Sequence, residues 1–428
     1  MTRALAMMGV TLMLVPFAWA QPVIDYVNAP DDSFAWEVVK QEPMGGGMLT
    51  ELSVTSQTWQ GITWTHRVNI FLPDGCVNPS VALMAITGGS PGGKELILLS
   101  SAAQMISAPV VVLGDIPNQP LYDNLREDAL IAYTFVKYME TGDPSWPLLF
   151  PMTKAAVRTM DAVEAYTAEA WEQPITRWIT TGASKRGWTT WFTGVVVPER
   201  LDGIVPMVYD NLDLAGQMRH QIEAWGEYSE QINDYTELGL QELLQTPEGA
   251  RLSAMADPYA LRDRADMPKL IMTGSNDPYW PLDAANLYWD DLPEAKYILY
   301  VPNAGHGLPD ITRVIDAQVG FFKACTGRIP LPKLTWEFED GGYVKLTIDP
   351  GDELPVLRVN QWSAHTPTRD FRGAEWEMDE AIEHGGTYIA RALHPEEGHN
   401  ALFAEVVYDA DGREFPLSTN VRIIGPKD

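Results

Sequence analysis

The sequence predicts an α/β protein in which a parallel sheet is covered by helices on both faces, followed by a small all-β unit. Continuous apolar runs rich in valine, isoleucine and leucine recur along the first three quarters of the chain, and such runs are typical of strands buried on both faces. Helical patterns separate these runs, as the crossovers of a parallel sheet require. After residue 330 the helical patterns stop and short alternating segments follow, which indicates antiparallel strands.

The first domain is predicted over residues 21–330. Its first 28 residues are polar and irregular, and two alternating segments after them predict an antiparallel pair of strands. Buried strands and helices then alternate along the chain. The antiparallel pair spans 49–60 and 62–72; the buried strands span 81–87, 110–113, 175–180, 203–208, 270–273 and 297–301; the helices span 95–106, 124–138, 152–171 and 311–324, with a further helix directly after Ser184.

One long segment, residues 211–268, interrupts this alternation. It contains helical patterns and several aromatic residues, and it joins two strands at the edge of the sheet where their carboxyl ends lie. We expect it to form a helical cap over a pocket. A simple structural extension is the alternative.

The C-terminal unit, residues 331–428, is predicted to be a small sandwich of antiparallel strands. Two Asp-Gly turns, at Asp340 and Asp411, mark its hairpins. We expect this unit either to support the cap or to bind polysaccharide through Trp362 and Trp376, although buried tryptophans are the commoner case. Its predicted strands span 334–338, 343–348, 355–360, 387–392 and 402–408.

Residues 1–20 have the pattern of a cleavable signal peptide. Arg3 gives a short positive start, an apolar run follows, and Ala18-Trp19-Ala20 matches an A-x-A cleavage site. The apolar run is too short for a membrane anchor. We therefore expect a mature chain from Gln21 that is secreted or periplasmic.

The charge of the chain excludes several classes of partner. With 30 basic and 58 acidic residues, the formal net charge is −28. Such a chain repels nucleic acids and anionic membrane surfaces, so we expect neither as a partner.

The chain has two cysteines, Cys76 and Cys325. Two cysteines so far apart in sequence do not resemble a metal site, and no metal or cofactor is expected. In an oxidising compartment a disulfide is the natural expectation, and both residues are predicted to lie at the end of the sheet away from the carboxyl edge. Two free thiols are the alternative.

The chemistry-bearing residues follow three of the predicted strands. Residues 181–188 read Thr-Gly-Ala-Ser-Lys-Arg-Gly-Trp, a small-x-Ser turn between a strand and a helix, which is how an α/β-hydrolase presents its nucleophile. Asp277 and His306 follow two later strands, and the order Ser, Asp, His is the one that this fold uses. We therefore predict a triad of Ser184, His306 and Asp277. Asp210, Asp283 and Asp310 are the alternative acids.

An oxyanion hole is expected beside the serine. One donor is the backbone N–H of Lys185, and the other is a backbone N–H of Gly88 or Gly89 in the loop after strand 81–87. This glycine-rich loop nearly matches a phosphate-binding loop, but Glu95 stands where a serine or threonine is required. Nucleotide binding is excluded on that ground.

Several side chains near the triad are candidates for binding the substrate. Arg186 can bind a substrate carboxylate or pair with a protein acid. Tyr279 and Trp280 follow the predicted acid, and His220 is expected near the mouth of the pocket. An acid pair, Glu127-Asp128, would bind a free N-terminus if the enzyme were a peptidase.

Seven segments of the chain resemble the PhoPQ-activated pathogenicity-related protein family. The resemblance implies an exported α/β-hydrolase domain with a C-terminal β domain, and it allows Ser184, Asp277 and His306 to be carried over as the triad. It does not imply a particular substrate, because the family's substrate is not settled. The matching segments are 182–191, 126–133, 220–221, 234–235, 257–259, 302–307 and 370–372.

The sequence thus predicts an exported serine hydrolase that cleaves an ester or amide through an acyl-enzyme. A small molecule, a peptide or a saccharide derivative is the expected substrate class. A serine peptidase is the alternative within enzymes, and a non-catalytic binding or signalling protein on a hydrolase scaffold is the alternative outside them.

Overall fold

The structure is a computed structural model and describes residues 21–90, 92–244 and 246–427. The predicted signal peptide, residues 1–20, lies outside the described residues. Within the described part of the chain, no helix combines the length and the apolar character needed to cross a membrane.

A mixed sheet forms the centre of the molecule. Its strand order is β1-β2-β3-β5-β4-β6-β7-β8-β9, in which the first three strands and β5 pair antiparallel and the strands from β5 to β9 pair parallel. The strands are β1 (Ala35–Pro43), β2 (Gly47–Trp59), β3 (Ile62–Pro73), β4 (Val81–Ile86), β5 (Val110–Leu113), β6 (Arg177–Ala183), β7 (Leu201–Met207), β8 (Lys269–Gly274) and β9 (Lys296–Val301).

Helices cover both faces of this sheet, as predicted. One hydrophobic core contains Phe135, Val157 and Trp191 from helices on one face, and a second core contains Leu99 and Phe321 from helices on the other. The helices are α1 (Pro22–Asn28), α2 (Gly93–Ile106), α3 (Glu127–Thr141), α4 (Leu149–Ala170), α5 (Lys185–Val196), α6 (Leu214–Trp225), α7 (Asn233–Thr236), α8 (Leu240–Leu243), α9 (Pro247–Ala256) and α10 (Ile311–Cys325).

The segment between β7 and β8 carries α6 to α9 together with short 3-10 helices at Glu230–Ile232 and Pro258–Arg264. It lies at the carboxyl end of β7, where the sequence predicts the cap. We refer to residues 211–268 as the cap segment.

The C-terminal residues form two antiparallel sheets. One has the order β10-β11-β15-β14, and the other has the order β17-β16-β12-β13 with β18 paired to β16. The strands are β10 (Thr335–Asp340), β11 (Val344–Asp349), β12 (Val356–Thr366), β13 (Glu377–Glu380), β14 (Ile382–His384), β15 (Thr387–Ala392), β16 (His399–Asp409), β17 (Glu414–Ser418) and β18 (Arg422–Ile424). The predicted fold class, an α/β-hydrolase fold followed by a small all-β part, is confirmed.

The second C-terminal sheet continues the central sheet, which the sequence analysis did not anticipate. Strand β17 pairs antiparallel with β9 at Ser418 and Ile298, and the Ser418 hydroxyl accepts a hydrogen bond from the backbone N–H of Tyr300 at 3.1 Å. An uncovered β9 would expose a row of unpaired backbone groups, and β17 covers it.

The expectation that residues 21–48 are irregular is wrong. They form α1 and β1, and β1 pairs with β2 along its length. Almost all side chains of β1 are exposed. A strand held by backbone hydrogen bonds at the edge of a sheet needs no apolar alternation, so the pattern that reveals a half-buried strand is missing here.

The predicted disulfide is also wrong, because Cys76 and Cys325 are both free thiols. Cys76 follows β3 and lies beside the backbone oxygen of Ser107, whereas Cys325 ends α10 and packs against Gly203 of β7. Three strands lie between β3 and β7. Four strand spacings therefore separate β3 from β7, which is roughly 19 Å at the usual spacing. A disulfide needs Cα atoms within about 7 Å. Burial raises the pKa of both thiols, which favours the unreactive protonated form.

We expect two thiols per chain to react with Ellman's reagent when the protein is purified without reductant and unfolded in guanidinium chloride. In the variant Cys325→Ser, one thiol per chain should react. Thiols that appear only after reduction would contradict the structure.

Candidate active site

Parallel pairing brings the three predicted triad residues to one edge of the sheet. Ser184 directly follows β6, Asp277 comes three residues after β8, and His306 comes five residues after β9. Strands β6, β7, β8 and β9 are consecutive neighbours. Their carboxyl ends therefore lie side by side, and so do the loops that follow them.

Ser184 occupies a strained turn between β6 and α5. Its φ of 58° and ψ of −123° are unusual for a residue with a side chain. The turn is closely packed, since a Cβ at Gly182 would lie 2.5 Å from the Arg186 carbonyl oxygen and one at Gly187 would lie 2.7 Å from that of Met207. Gly187 thus serves the close helix–strand contact here, one place later than in the Gly-x-Ser-x-Gly pattern.

His306 and Asp277 form a hydrogen-bonded pair. Nδ1 of His306 lies 2.8 Å from Oδ2 of Asp277, and the other carboxylate oxygen accepts the backbone N–H of Tyr279 at 2.9 Å. The Asp277 side chain is only 3% exposed. Nε2 of His306 is buried and has no hydrogen-bond partner among the residues that the structure describes. This nitrogen is therefore left to accept a proton.

The Tyr279 ring lies against the imidazole of His306, with ring centroids 4.1 Å apart and planes inclined by 31°. Together with the Asp277 bond, this contact fixes the orientation of the imidazole. Tyr279 also lies beside Lys185, whose Nζ is 5.5 Å from the tyrosine ring centroid.

The C-terminal part supports the loops that carry the acid and the histidine. The side chain of Asn276 donates to the backbone oxygen of Ala374 at 2.7 Å, and the Asn303 side chain both donates to and accepts from the backbone of Trp376. Sequence analysis missed these two asparagines. Their only signal was a position beside Asp277 and a few residues before His306.

Arg186 is not among the described residues that line the cavity beside Ser184. Its guanidinium binds both carboxylate oxygens of Glu127, at 2.6 and 2.7 Å, and donates to the backbone oxygen of Ile116 at 2.6 Å. The expectation that Arg186 binds a substrate carboxylate is therefore replaced by its alternative, pairing with a protein acid. A buried guanidinium requires such a partner.

Lys185 is paired in the same way. Its Nζ lies 2.5 Å from Oδ2 of Asp128, whose other oxygen accepts the hydroxyl of Tyr235 in the cap segment at 2.9 Å. With Arg186 held by Glu127, the acid pair Glu127-Asp128 is fully engaged. It does not offer the free carboxylates that binding a peptide N-terminus requires.

The loop after β4 lies next to the serine, because Ile86 pairs with Gly182 in the neighbouring strand. Gly88 allows the close approach of Arg186, since a Cβ there would lie 2.2 Å from its Nη2. Gly89 has open space around its Cα. Neither glycine is among the described residues that line the cavity over the serine, so their role in the oxyanion hole stays a prediction.

His220 is also not among the described residues that line the cavity. Its Nε2 lies 2.6 Å from Oδ1 of Asp283, and the second oxygen of Asp283 accepts Arg369 from the C-terminal part at 2.9 Å. The prediction that His220 contacts substrate is therefore not supported by its position. Burial acts to raise the pKa of the Asp283 carboxyl, but the hydrogen bond with His220 and the nearby Arg369 hold this pKa below its usual value.

One cavity contains both Ser184 and His306 in its wall. Its volume is about 820 Å³, counting the part open to solvent. The predicted pocket residues Tyr279 and Trp280 line it, and so does Trp188. The cap segment supplies Leu214, Met218, Ile232, Tyr235, Leu240 and Leu252.

A second buried acid lies near Asp277. Asp210 follows β7, is 3% exposed, and has one carboxylate oxygen without a partner among the described residues. Burial and, secondly, the charge of Asp277 raise its pKa to about 7. Asp210 is therefore neutral in mildly acidic solution, while Asp277 carries the bond to His306.

Several solved structures resemble this chain, all at low sequence identity. The acetyl xylan esterase from Paenibacillus sp. R4 is 13% identical with a TM-score of 0.48, and the match covers 69% of this chain and 92% of that one. The S-formylglutathione hydrolase from Agrobacterium tumefaciens is 14% identical with a TM-score of 0.45, and the match covers 67% and 98%.

Comparison at the level of sequence is more informative. Autocrine proliferation repressor protein A of Dictyostelium discoideum is 34% identical over 452 aligned positions, which cover 93% of this chain and 88% of the relative. The model of the PhoPQ-activated pathogenicity-related protein family matches residues 23–372. Because that match spans most of the chain, the protein belongs to the PhoPQ-activated pathogenicity-related protein family.

Proposed function

We propose that the protein is a serine hydrolase that cleaves an ester or an amide through an acyl-enzyme. The observation that carries this proposal is the His306–Asp277 hydrogen bond, beside a cavity whose wall contains both His306 and Ser184. A strained nucleophile turn costs folding energy, and such strain is typical of functional sites. A scaffold that only bound a partner would have no need of this combination.

Each member of the triad has one role. Ser184 attacks the carbonyl carbon, and its proton passes to Nε2 of His306. Asp277 holds the proton on Nδ1 and stabilises the imidazolium that forms. His306 then gives its proton to the leaving alcohol or amine, and a water molecule attacks the acyl-enzyme with His306 as base.

The tetrahedral intermediates carry a negative oxygen. The backbone N–H of Lys185 stands at the start of α5, so it lies at the positive end of the helix dipole. We assign it as one oxyanion donor, and a backbone N–H of Gly88 or Gly89 as the other.

We also propose that the protein is exported and that residues 1–20 are removed. The support is the short apolar run that ends in Ala18-Trp19-Ala20. A mature chain that begins at Gln21, measured by mass spectrometry of the exported protein, is the expected result.

We expect a fluorophosphonate probe to label the wild-type protein, and Ser184→Ala to abolish labelling and lower ester turnover by about a thousandfold or more. Without the hydroxyl no acyl-enzyme can form. Gel fluorescence and hydrolysis of p-nitrophenyl esters measure the two effects.

Ser253→Ala is the matched control, because Ser253 lines the same cavity from the cap segment. It should keep both labelling and turnover. Labelling that survives in Ser184→Ala would refute the assignment of the nucleophile.

Asp277→Asn should lower kcat by about 10⁴-fold, because an amide cannot hold the required tautomer of His306. Asp210→Asn should keep kcat within about tenfold of wild type at pH 6, since the carboxyl that it replaces is already neutral there. A reversed order of the two effects would identify Asp210 as the catalytic acid.

The raised pKa of Asp210 predicts that the stability of the folded protein depends on pH. The pKa of Asp210 is raised to about 7 in the folded protein and is about 3.9 in an unfolded chain. The folded state therefore keeps a proton that the unfolded state loses, and stability falls as pH rises from about 4 to about 7. Asp210→Asn removes this loss, so its Tm relative to wild type should be higher at pH 8 than at pH 4. An equal difference at both pH values would contradict the raised pKa.

A further inference from the structure

We infer that the substrate carries an uncharged, bulky apolar group, aliphatic or aromatic. The cavity beside Ser184, between α5 and the cap segment, holds this group during cleavage, and we refer to this cavity as the chamber. This inference rests on the proposed function, because it places that group next to the ester or amide attacked by Ser184. It names a substrate class that the triad alone does not.

The walls of the chamber are largely carbon. Phe135, Trp188 and Val208 line it from the hydrolase part, and Leu214, Leu240 and Leu252 line it from the cap segment. All but Leu214 are less than a tenth exposed. Water in a space with such walls gains few hydrogen bonds, so displacing it with an apolar group is favourable.

The polar atoms of two aromatic residues in this wall are already bonded. The indole N–H of Trp188 donates to the backbone oxygen of Ala256 at 2.7 Å, and the Tyr235 hydroxyl donates to Asp128 at 2.9 Å. Trp188 also stacks on Tyr209 with ring centroids 5.0 Å apart. Trp188 and Tyr235 therefore contribute ring carbon to the chamber rather than hydrogen-bonding groups.

The charges near the nucleophile are compensated within the protein. Apart from His306, Lys185 is the only basic residue among the described residues that line the cavity, and Asp128, 2.5 Å away, is the only acidic one. Arg186, next in sequence, is neutralised by Glu127 outside the cavity. A substrate carboxylate or ammonium would have to break one of these pairs and leave a charge buried without a partner. The chamber therefore favours a neutral group.

The first experiment separates the two sides of the scissile bond. One arm compares p-nitrophenyl acetate with p-nitrophenyl octanoate, which lengthens the acyl group. The other compares ethyl acetate with octyl acetate, which lengthens the alcohol. Background from Ser184→Ala is subtracted in both arms. We expect kcat/KM to rise about tenfold or more with length in one of the two arms.

Leu240→Trp tests whether the chamber causes this preference. The indole ring is larger than the leucine side chain and occupies space inside the chamber. The ratio of kcat/KM for long over short substrates should therefore fall about tenfold. Leu238→Trp is the matched control on the same segment, because Leu238 is 47% exposed. It should leave the ratio unchanged. A ratio near one in both arms for the wild type, or equal ratios in the two variants, would overturn the inference.

A binding measurement keeps this inference separable from the catalytic proposal. In Ser184→Ala, quenching of tryptophan fluorescence should show octanamide binding at least about tenfold more tightly than octanoate, which has the same length but a negative charge. If octanamide binds in this way but no ester is cleaved, the catalytic proposal fails and the chamber assignment stands. If esters are cleaved but octanamide shows no such preference over octanoate, the catalytic proposal stands and the chamber assignment fails.

Discussion

The candidate site depends on the parallel pairing of β6, β7, β8 and β9. The hydroxyl, the imidazole and the carboxylate are separated by up to 122 residues along the chain, from Ser184 to His306, and no local interaction joins them. The sheet brings them together because successive parallel strands end at the same edge. The close contacts at that edge require small residues, as at Gly274, where a Cβ would lie 2.2 Å from the backbone oxygen of Ala304.

The C-terminal strands complete this arrangement. Strand β9 would otherwise form an open edge directly beneath the histidine loop, and β17 covers it. The segment between β12 and β13 then contacts the loops after β8 and β9, where its backbone accepts hydrogen bonds from the side chains of Asn276 and Asn303. The guanidinium of Arg372, 4.2 Å from the ring centroid of Trp225, adds a contact to the cap segment. The C-terminal part thus supports both the loops that carry Asp277 and His306 and the cap segment.

Sequence patterns predicted the parts of the molecule that local physics determines. The buried strands and the order of Ser184, Asp277 and His306 follow from apolar runs and turn residues. Partner choice over long distances left no such pattern. Nothing near Arg186 indicates that Glu127 will bind it, and nothing near His220 indicates Asp283. The prediction of a disulfide was wrong for a related reason. Predicting which end of the sheet each cysteine occupies does not predict how many strands lie between the two cysteines.

The pairing of Lys185 with Asp128 and of Arg186 with Glu127 explains how two cations can directly follow Ser184 in a buried turn. Burying either charge alone would be costly, and Glu127 and Asp128 at the start of α3 offset that cost. Because Asp128 also binds Tyr235 of the cap segment, the same ion pair joins α5, α3 and the cap beside Ser184. An ion pair needs a more defined geometry than an apolar contact. It therefore fixes the position of the cap wall relative to the serine, and with it the shape of the chamber that an apolar group would occupy.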